Sequence, residues 1–203
     1  MIGDTAAICY AIDRSTSKRY IVDAIKISRP SPADIRNLIF DWTALYSPSE
    51  WIIEKNAFQS FLTQDEGIRM HLASRGVQFK EHHTGSNKWD SGFGVASMAT
   101  LFGTKQFDGK HHRDNLIHLP SDQTENVKAL IEQLITWTPT TKGKTDMVMA
   151  LWFCEIRARE MLNYGQYATH HMKNPFLSRH EMGKRTVINL EEAFADQNKM
   201  RII

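Results

Sequence analysis

The chain alternates short apolar runs with longer stretches whose apolar residues recur every three or four positions. "TAAICYAID" (5–13) and "RYIVDAIKI" (19–27) are β-branched and apolar, and the polar "RSTSK" parts them. They read as an antiparallel hairpin. In "SRPSPADIRNLIFDWTALYS", Ser31 is a good N-cap, Pro32 suits the first helical position and Asp34 fits the first turn. Ile35, Leu38, Ile39, Trp42 and Leu45 then mark one helical face. "EWIIEKN" holds a short strand, Trp51 to Ile53, ending in Glu54. A second helix is expected over about 57–74, with Phe58, Phe61, Leu62 and Leu72 facing in and Gly76 as its stop. "VQFKEH" gives another strand. Helical crossovers between strands predict an α/β fold, a mixed sheet with helices outside.

From Thr84 to Arg113 the chain changes character, with five glycines and many polar residues. "GVASMATLF" is expected as a short helix, and the remainder reads as a long loop of the kind that carries function. "NLIHLP" is a short strand. "TENVKALIEQLITW" places Val127, Leu130, Ile131, Leu134 and Ile135 at helical spacing. The loop "TKGKTD" leads into a last long helix, from Asp146 to about 162. Beyond Asn163 no period is sustained. The reading is one domain over 1–162 and, over 163–203, a tail that is partly disordered or docks on a partner.

Bulk properties exclude several classes. In a chain of 203 residues, 41% hydrophobic and 24% charged, one soluble domain is expected. The longest apolar run, "MVMALWFC", is far too short to cross a membrane. Cys9 and Cys154 sit far apart in apolar contexts and read as buried, reduced thiols. Net charge is only +2, but its distribution is uneven. Acids outnumber bases between Ser31 and Glu66. Bases outnumber acids between Arg69 and His118, where six of the nine histidines also lie. A basic stretch beside an acidic one suits a protein that binds phosphates and holds cations.

Gly143-Lys144-Thr145 imitates the end of a P-loop. The first glycine is missing, Thr138 standing in its place, and a helix rather than a strand precedes it, so nucleotide binding is not expected. The pairs His82-His83, His111-His112 and His170-His171 have no cysteine nearby, and neighbours on a strand point to opposite faces. A structural zinc site is not expected.

Two carboxylates stand out instead. Glu54 ends a strand otherwise made of Trp and Ile, where the plain alternative is a side chain in solvent. Asp146 opens a helix whose first turns are almost wholly apolar. There the plain alternative is dipole stabilisation, with Thr145 as N-cap. Sites in α/β folds gather at the carboxyl ends of strands. Two such carboxylates offer hard oxygen ligands to Mg²⁺ or Mn²⁺, and two ions could clamp a phosphodiester. Lys55 and Lys144 would then flank the scissile phosphate; otherwise they are solvated surface lysines.

The order hairpin, helix, "WIIEKN", helix, basic loop, helix, "KGKTDMVMALWF" resembles the nuclease domain of the phage terminase large subunit. The resemblance runs from about residue 3 to residue 162. Glu54-Lys55-Asn56 matches the second acidic position of that family, and Asp146 the third. The resemblance implies a ribonuclease H-like fold and cleavage of double-stranded DNA during genome packaging, with two Mg²⁺ or Mn²⁺ ions in the complete domain. Lys80, Lys88, Lys105, Lys110 and Arg113 would carry the DNA contacts. The implied partners are the portal, the small terminase subunit and a packaging ATPase that this chain does not contain. The implied location is the cytoplasm of the infected host or lysogen.

One departure matters. The family's first acidic ligand ends a strand that precedes a segment like "GDTAA". Here Gly3-Asp4-Thr5-Ala6-Ala7 stands near residue 1, so the sheet is expected to lack its first strand. Two outcomes follow. Either residues 1–7 pair into the sheet and bring Asp4 toward Glu54 and Asp146 as a substitute ligand. Or the edge opposite Glu54 is open, the site holds one weak ion at most, and cutting is poor; the second is preferred. Two other readings stand beside an active nuclease. One is a catalytically incomplete module that docks DNA or packaging components, the other a related enzyme such as a resolvase or integrase.

Overall fold

A computed structural model describes residues 4–54, 62, 64–84, 88, 94–102, 115–140, 145–171 and 201–202. The hairpin forms as the alternation predicts. β1 (Thr5–Asp13) pairs antiparallel with β2 (Lys18–Ile27), and a register shift falls between Cys9 and Tyr10. β2 also pairs in parallel with β5 (Ile117–His118), and β1 with β6 (Arg201–Ile202). The sheet order is therefore β5-β2-β1-β6. A second, two-stranded parallel sheet joins β3 (Glu50–Glu54) to β4 (Gln78–His82).

Local chemistry sets the helix ends. α1 (Pro32–Tyr46) starts in a reciprocal cap: the Asp34 amide donates to Ser31 Oγ at 3.2 Å, and the Ser31 amide donates to Asp34 Oδ2 at 2.7 Å. α2 (Glu66–Ser74) is capped by Asp65, whose Oδ1 accepts from the Ile68 amide at 3.0 Å. Asp65 is extended (φ −68°, ψ 110°), so the single helix predicted over 57–74 is interrupted there. Leu62 and Leu72 are buried as expected, whereas Phe58 and Phe61 lie outside the described residues. Gly76, at φ 67°, makes the left-handed turn from α2 into β4. Thr124 caps α3 (Glu125–Thr136) through its hydroxyl. The "VASMATLF" segment forms a 3₁₀ helix, Val95–Phe102.

The last helix, α4, spans Asp146–His171. The apolar period predicts an end near 162, and the helix outruns it. "NYGQYATHH" carries no apolar stripe, but a helix already nucleated gains a hydrogen bond with each added residue. The tail also returns to the fold, since β6 sits on the β1 edge. Among the described residues, no helix is long and apolar enough to cross a membrane.

Alternation explains the layers. Ile8, Tyr10 and Ile12 of β1 face α3 and α4, in a core with Val127, Leu130, Met147, Leu151 and Trp152. Cys9 and Ala7 turn the other way, onto Leu38 and Trp42 of α1. β3 is divided in the same manner. Its Ile52 joins the α4 side, while Trp51 and Ile53 pack toward α1 and α2. The two sheets therefore lie in one layer of a mixed α/β fold, with helices on both faces.

Candidate functional site

Between β1 and β3 lies a cleft of about 230 Å³. Its floor is the face of α4 carrying Asp146, Met149, Ala150, Phe153 and Cys154, residues three, four, seven and eight positions apart. Its roof is α1, through Leu38, Ile39 and Trp42. The lining is apolar apart from a few carboxylates. Asp4, Glu54 and Asp146 all line it, so the structure brings the two sequence-predicted carboxylates and the substitute together in one cleft.

The strands run in opposite directions across the gap. Cys154 Sγ reaches the Ile8 carbonyl at 3.8 Å and Glu155 accepts from Tyr10, so β1 runs along α4 in the same sense. Arg157 binds Glu50, whereas His82, paired with Glu54, meets Trp152 edge-on and Phe153 at a tilt. β3 thus runs against α4 and against β1. The first residues of β1, the last of β3 and the first of α4 share one end of the cleft.

Each carboxylate has its own setting. Asp4 Oδ2 lies 3.4 Å from Lys26 Nζ. Glu54 is half-buried, and alternation from Glu50 and Ile52 turns it to the α4 side rather than away from the protein. Asp146 is the first residue of α4, and the Met149 amide donates to the Thr145 carbonyl at 2.9 Å. The Met147 amide, in the first turn, is satisfied from α3 by Gln133 Oε1 at 3.1 Å.

The donors are hard oxygens, right in kind for Mg²⁺ or Mn²⁺. Among the described residues, however, no three His, Cys, Asp or Glu side chains converge closely enough to hold an ion. The set fits a divalent metal in the chemistry of its donors.

Of the other predicted residues, Lys80 and Lys88 are described, and neither lines the cleft. Lys80 Nζ binds Glu50 Oε2 at 2.8 Å, so its ammonium neutralises a buried carboxylate. Lys88 is half-buried. Lys55, Lys105, Lys110, Arg113 and Lys144 lie outside the described residues. Both cysteines are free and buried, as expected. Burial, then the nearby Asp23 charge, pushes the Cys9 thiol up to about 12, so it stays protonated.

The sequence offers His82 only as half of a histidine pair, and its aromatic surroundings come from the fold. Its ring lies 5.7 Å from Trp152 and 5.0 Å from Phe153. Burial holds its pKa below the ordinary value, against the opposing pull of Glu160 and Glu54. A histidine with a depressed folded pKa stabilises the fold above its unfolded pKa and loses that contribution as pH falls toward the folded value. The urea midpoint should therefore decline as pH drops below about 6.5. His71 is depressed by burial as well, so the comparison with His82→Phe isolates the effect. That variant should show a flatter decline over the same window, and an identical slope would remove His82 from the account.

No protein-family model matches the chain, and no characterised protein or solved structure matches it either.

Proposed function

We propose that the acidic end of the cleft is the phosphodiester-cutting site of a ribonuclease H-like nuclease domain of the terminase type, in an incomplete form. The observation that carries this is the meeting of Asp4, Glu54 and Asp146 in one cleft, at the end where β3 stops and α4 begins. Three separate stretches of sequence supply them, Asp4 and Glu54 lying 50 residues apart and Glu54 and Asp146 92 apart. That is how an α/β fold assembles a site at the carboxyl ends of its strands. Glu54 and Asp146 are the residues that would hold Mg²⁺ or Mn²⁺, and such an ion would stabilise charge on a phosphate oxygen when bound. The substrate is double-stranded DNA, held through its phosphates without regard to sequence by the basic stretch around Lys105, Lys110 and Arg113. The portal, small terminase subunit and packaging ATPase are the partners this reading assigns.

Incompleteness has a physical basis. Asp4 is already engaged by Lys26, and two remaining carboxylates bind a hard cation weakly. Purified chain should nick supercoiled DNA slowly in Mn²⁺, more slowly in Mg²⁺, and not at all in excess chelator. Asp146→Asn should abolish the residual nicking while leaving the circular dichroism spectrum unchanged. Undiminished nicking by Asp146→Asn, or by the wild-type chain in chelator, overturns the assignment. Salt-sensitive DNA binding with no nicking in either metal would favour the second reading, a docking module that binds DNA and does not cut it.

A further inference from the structure

The charged groups at the acidic end of the cleft share one side of the fold. Ala6 of β1 and Ala24 of β2 pack on the α3–α4 side, whereas Ala7, Ile25 and Ile27 pack against α1. Alternation therefore turns Asp4 and Lys26 to the α3–α4 side. Asp146 opens α4 on that side, and Glu54 is turned toward it. Ala6 and Lys26 are partners across the hairpin, so Asp4 and Lys26 are diagonal neighbours. The Lys26 ammonium lies 3.4 Å from Asp4 Oδ2. A cation of the chain's own thus stands among the carboxylates.

We infer that this ammonium is the built-in counter-ion of the site, a tethered cation that a divalent ion must displace from Asp4 in order to bind. The inference rests on the metal reading above. The contact is loose: at 3.4 Å it is longer than the about 2.7–2.9 Å of a charge-assisted hydrogen bond, so charge rather than hydrogen-bond geometry holds it. The two side chains are nonetheless sheltered, at 20% exposure for Lys26 and 9% for Asp4, and salt screens such a pair less than an open one. Only the lysine stem has to move. The Lys26 amide donates to Asn126 Oδ1 of α3 at 3.3 Å, and pairing with β1 fixes the strand. A lysine suits that task, being a compact point charge on a flexible stem.

The consequence is a competition. A divalent ion brings twice the charge to within about 2.0–2.6 Å of a carboxylate oxygen. Ammonium and ion repel each other, so both cannot serve Asp4 at full strength. Lys26 thereby sets the ion concentration at which the site fills, and Asp4 contributes its charge to the ion only once Lys26 has let go. Removing the ammonium should therefore raise the affinity for the ion, although it removes a favourable ion pair from the fold.

Mn²⁺ titrated into the full chain, with the free ion followed by electron paramagnetic resonance, tests this without reading activity. Lys26→Met keeps most of the stem and removes the charge, and should tighten Mn²⁺ binding about tenfold. Lys26→Arg keeps the charge and should stay within about twofold of the wild type. Adding Asp4→Asn to Lys26→Met should cancel the gain, since the two residues act through one contact. Asp146→Asn should weaken binding in both the wild-type and the Lys26→Met background. If Asp146→Asn weakens binding but Lys26→Met does not tighten it, the inference falls and the metal reading stands. A gain that survives Asp4→Asn likewise overturns the inference alone. If no protein binds Mn²⁺, or binding ignores Asp146→Asn, both fall. The wild-type chain supplies a check that needs no variant. Mn²⁺ should speed acetylation of Lys26, read by peptide mass spectrometry, about threefold over Na⁺ at equal ionic strength, because the ion shifts the ammonium off Asp4. An unchanged or slower rate overturns the inference.

Discussion

Replacing Glu155 with alanine should cost about 3–5 kcal/mol of folding stability, a large part of what a domain of this size has. Glu155 sits on α4 at 1% exposure. Its Oε2 accepts from Tyr10 Oη at 3.0 Å and Arg19 Nε at 3.2 Å. Its Oε1 accepts from Arg19 Nη2 at 3.1 Å and Arg159 Nε at 2.9 Å. Alanine would leave the guanidinium of Arg19, itself 6% exposed, without its counter-charge, and would strand the Tyr10 hydroxyl. An uncompensated buried charge is the costly outcome, more than the loss of the pair itself. Burial and the Glu155 charge both raise the Tyr10 pKa, so the phenol remains a donor throughout the working range. Urea denaturation checks the expectation. The triple change Tyr10→Phe, Arg19→Met, Glu155→Leu removes all three polar groups together and should recover most of the loss. A single-variant loss under about 1 kcal/mol would mean that water or a local shift rescues Arg19.

Glu155 also marks where the sequence stops being legible. "MVMALWFCEIRARE" reads as an apolar helix entry followed by a charged half, and charged residues normally mean a solvated face. The partners that keep Glu155 inside, Tyr10 and Arg19, lie more than 130 residues away, and no local period reports them. By contrast, the hairpin, the capping box at Ser31, the Gly76 turn and the burial of Cys9 and Cys154 all follow from neighbours within a few residues. Local rules govern those features, and the structure carries them. The mixed sheet flanked by helices was readable for the same reason. The division into two sheets was not. It depends on β1 and β3 failing to meet across the cleft, a tertiary matter that neither strand's composition records.

The site was legible in part. Glu54 and Asp146 stood out because a carboxylate broke an otherwise apolar pattern, and both line the cleft. The expectation of a missing strand sets two outcomes against each other. Thr5–Ala7 pair with β2 and Asp4 shares the cleft, while among the described residues the β3 edge beside Glu54 remains open. By the resemblance, Lys80 is one of the expected DNA contacts. Only the fold shows that it answers Glu50, because strand pairing and burial together select the partner.

That ion pair leads to the second large effect. Glu50→Ala should loosen the β3–β4 sheet from α4 while the β1–β2–α4 core persists. Glu50 is 2% exposed and begins β3. Its Oε1 accepts from Arg157 Nε at 2.6 Å, and its Oε2 lies 2.8 Å from Lys80 Nζ. One carboxylate thus ties both strands of the small sheet to the long helix. The cations are partly exposed, at 34% for Lys80 and 23% for Arg157, so water can rehydrate them once Glu50 is gone. Arg157 also keeps Glu160, whose Oε2 accepts from Nη1 at 2.6 Å. The cost should therefore sit at the lower end for a broken buried pair, about 3 kcal/mol. It should also be uneven. Amide exchange at 51–53 and 79–82 should accelerate toward the rate of local opening, while exchange at 8–12 and 148–155 keeps its protection. Glu50→Gln, which keeps an acceptor but not the charge, should fall between. Uniform acceleration across both sheets would show that the two unfold as one unit, and that Glu50 does not hold one to the other.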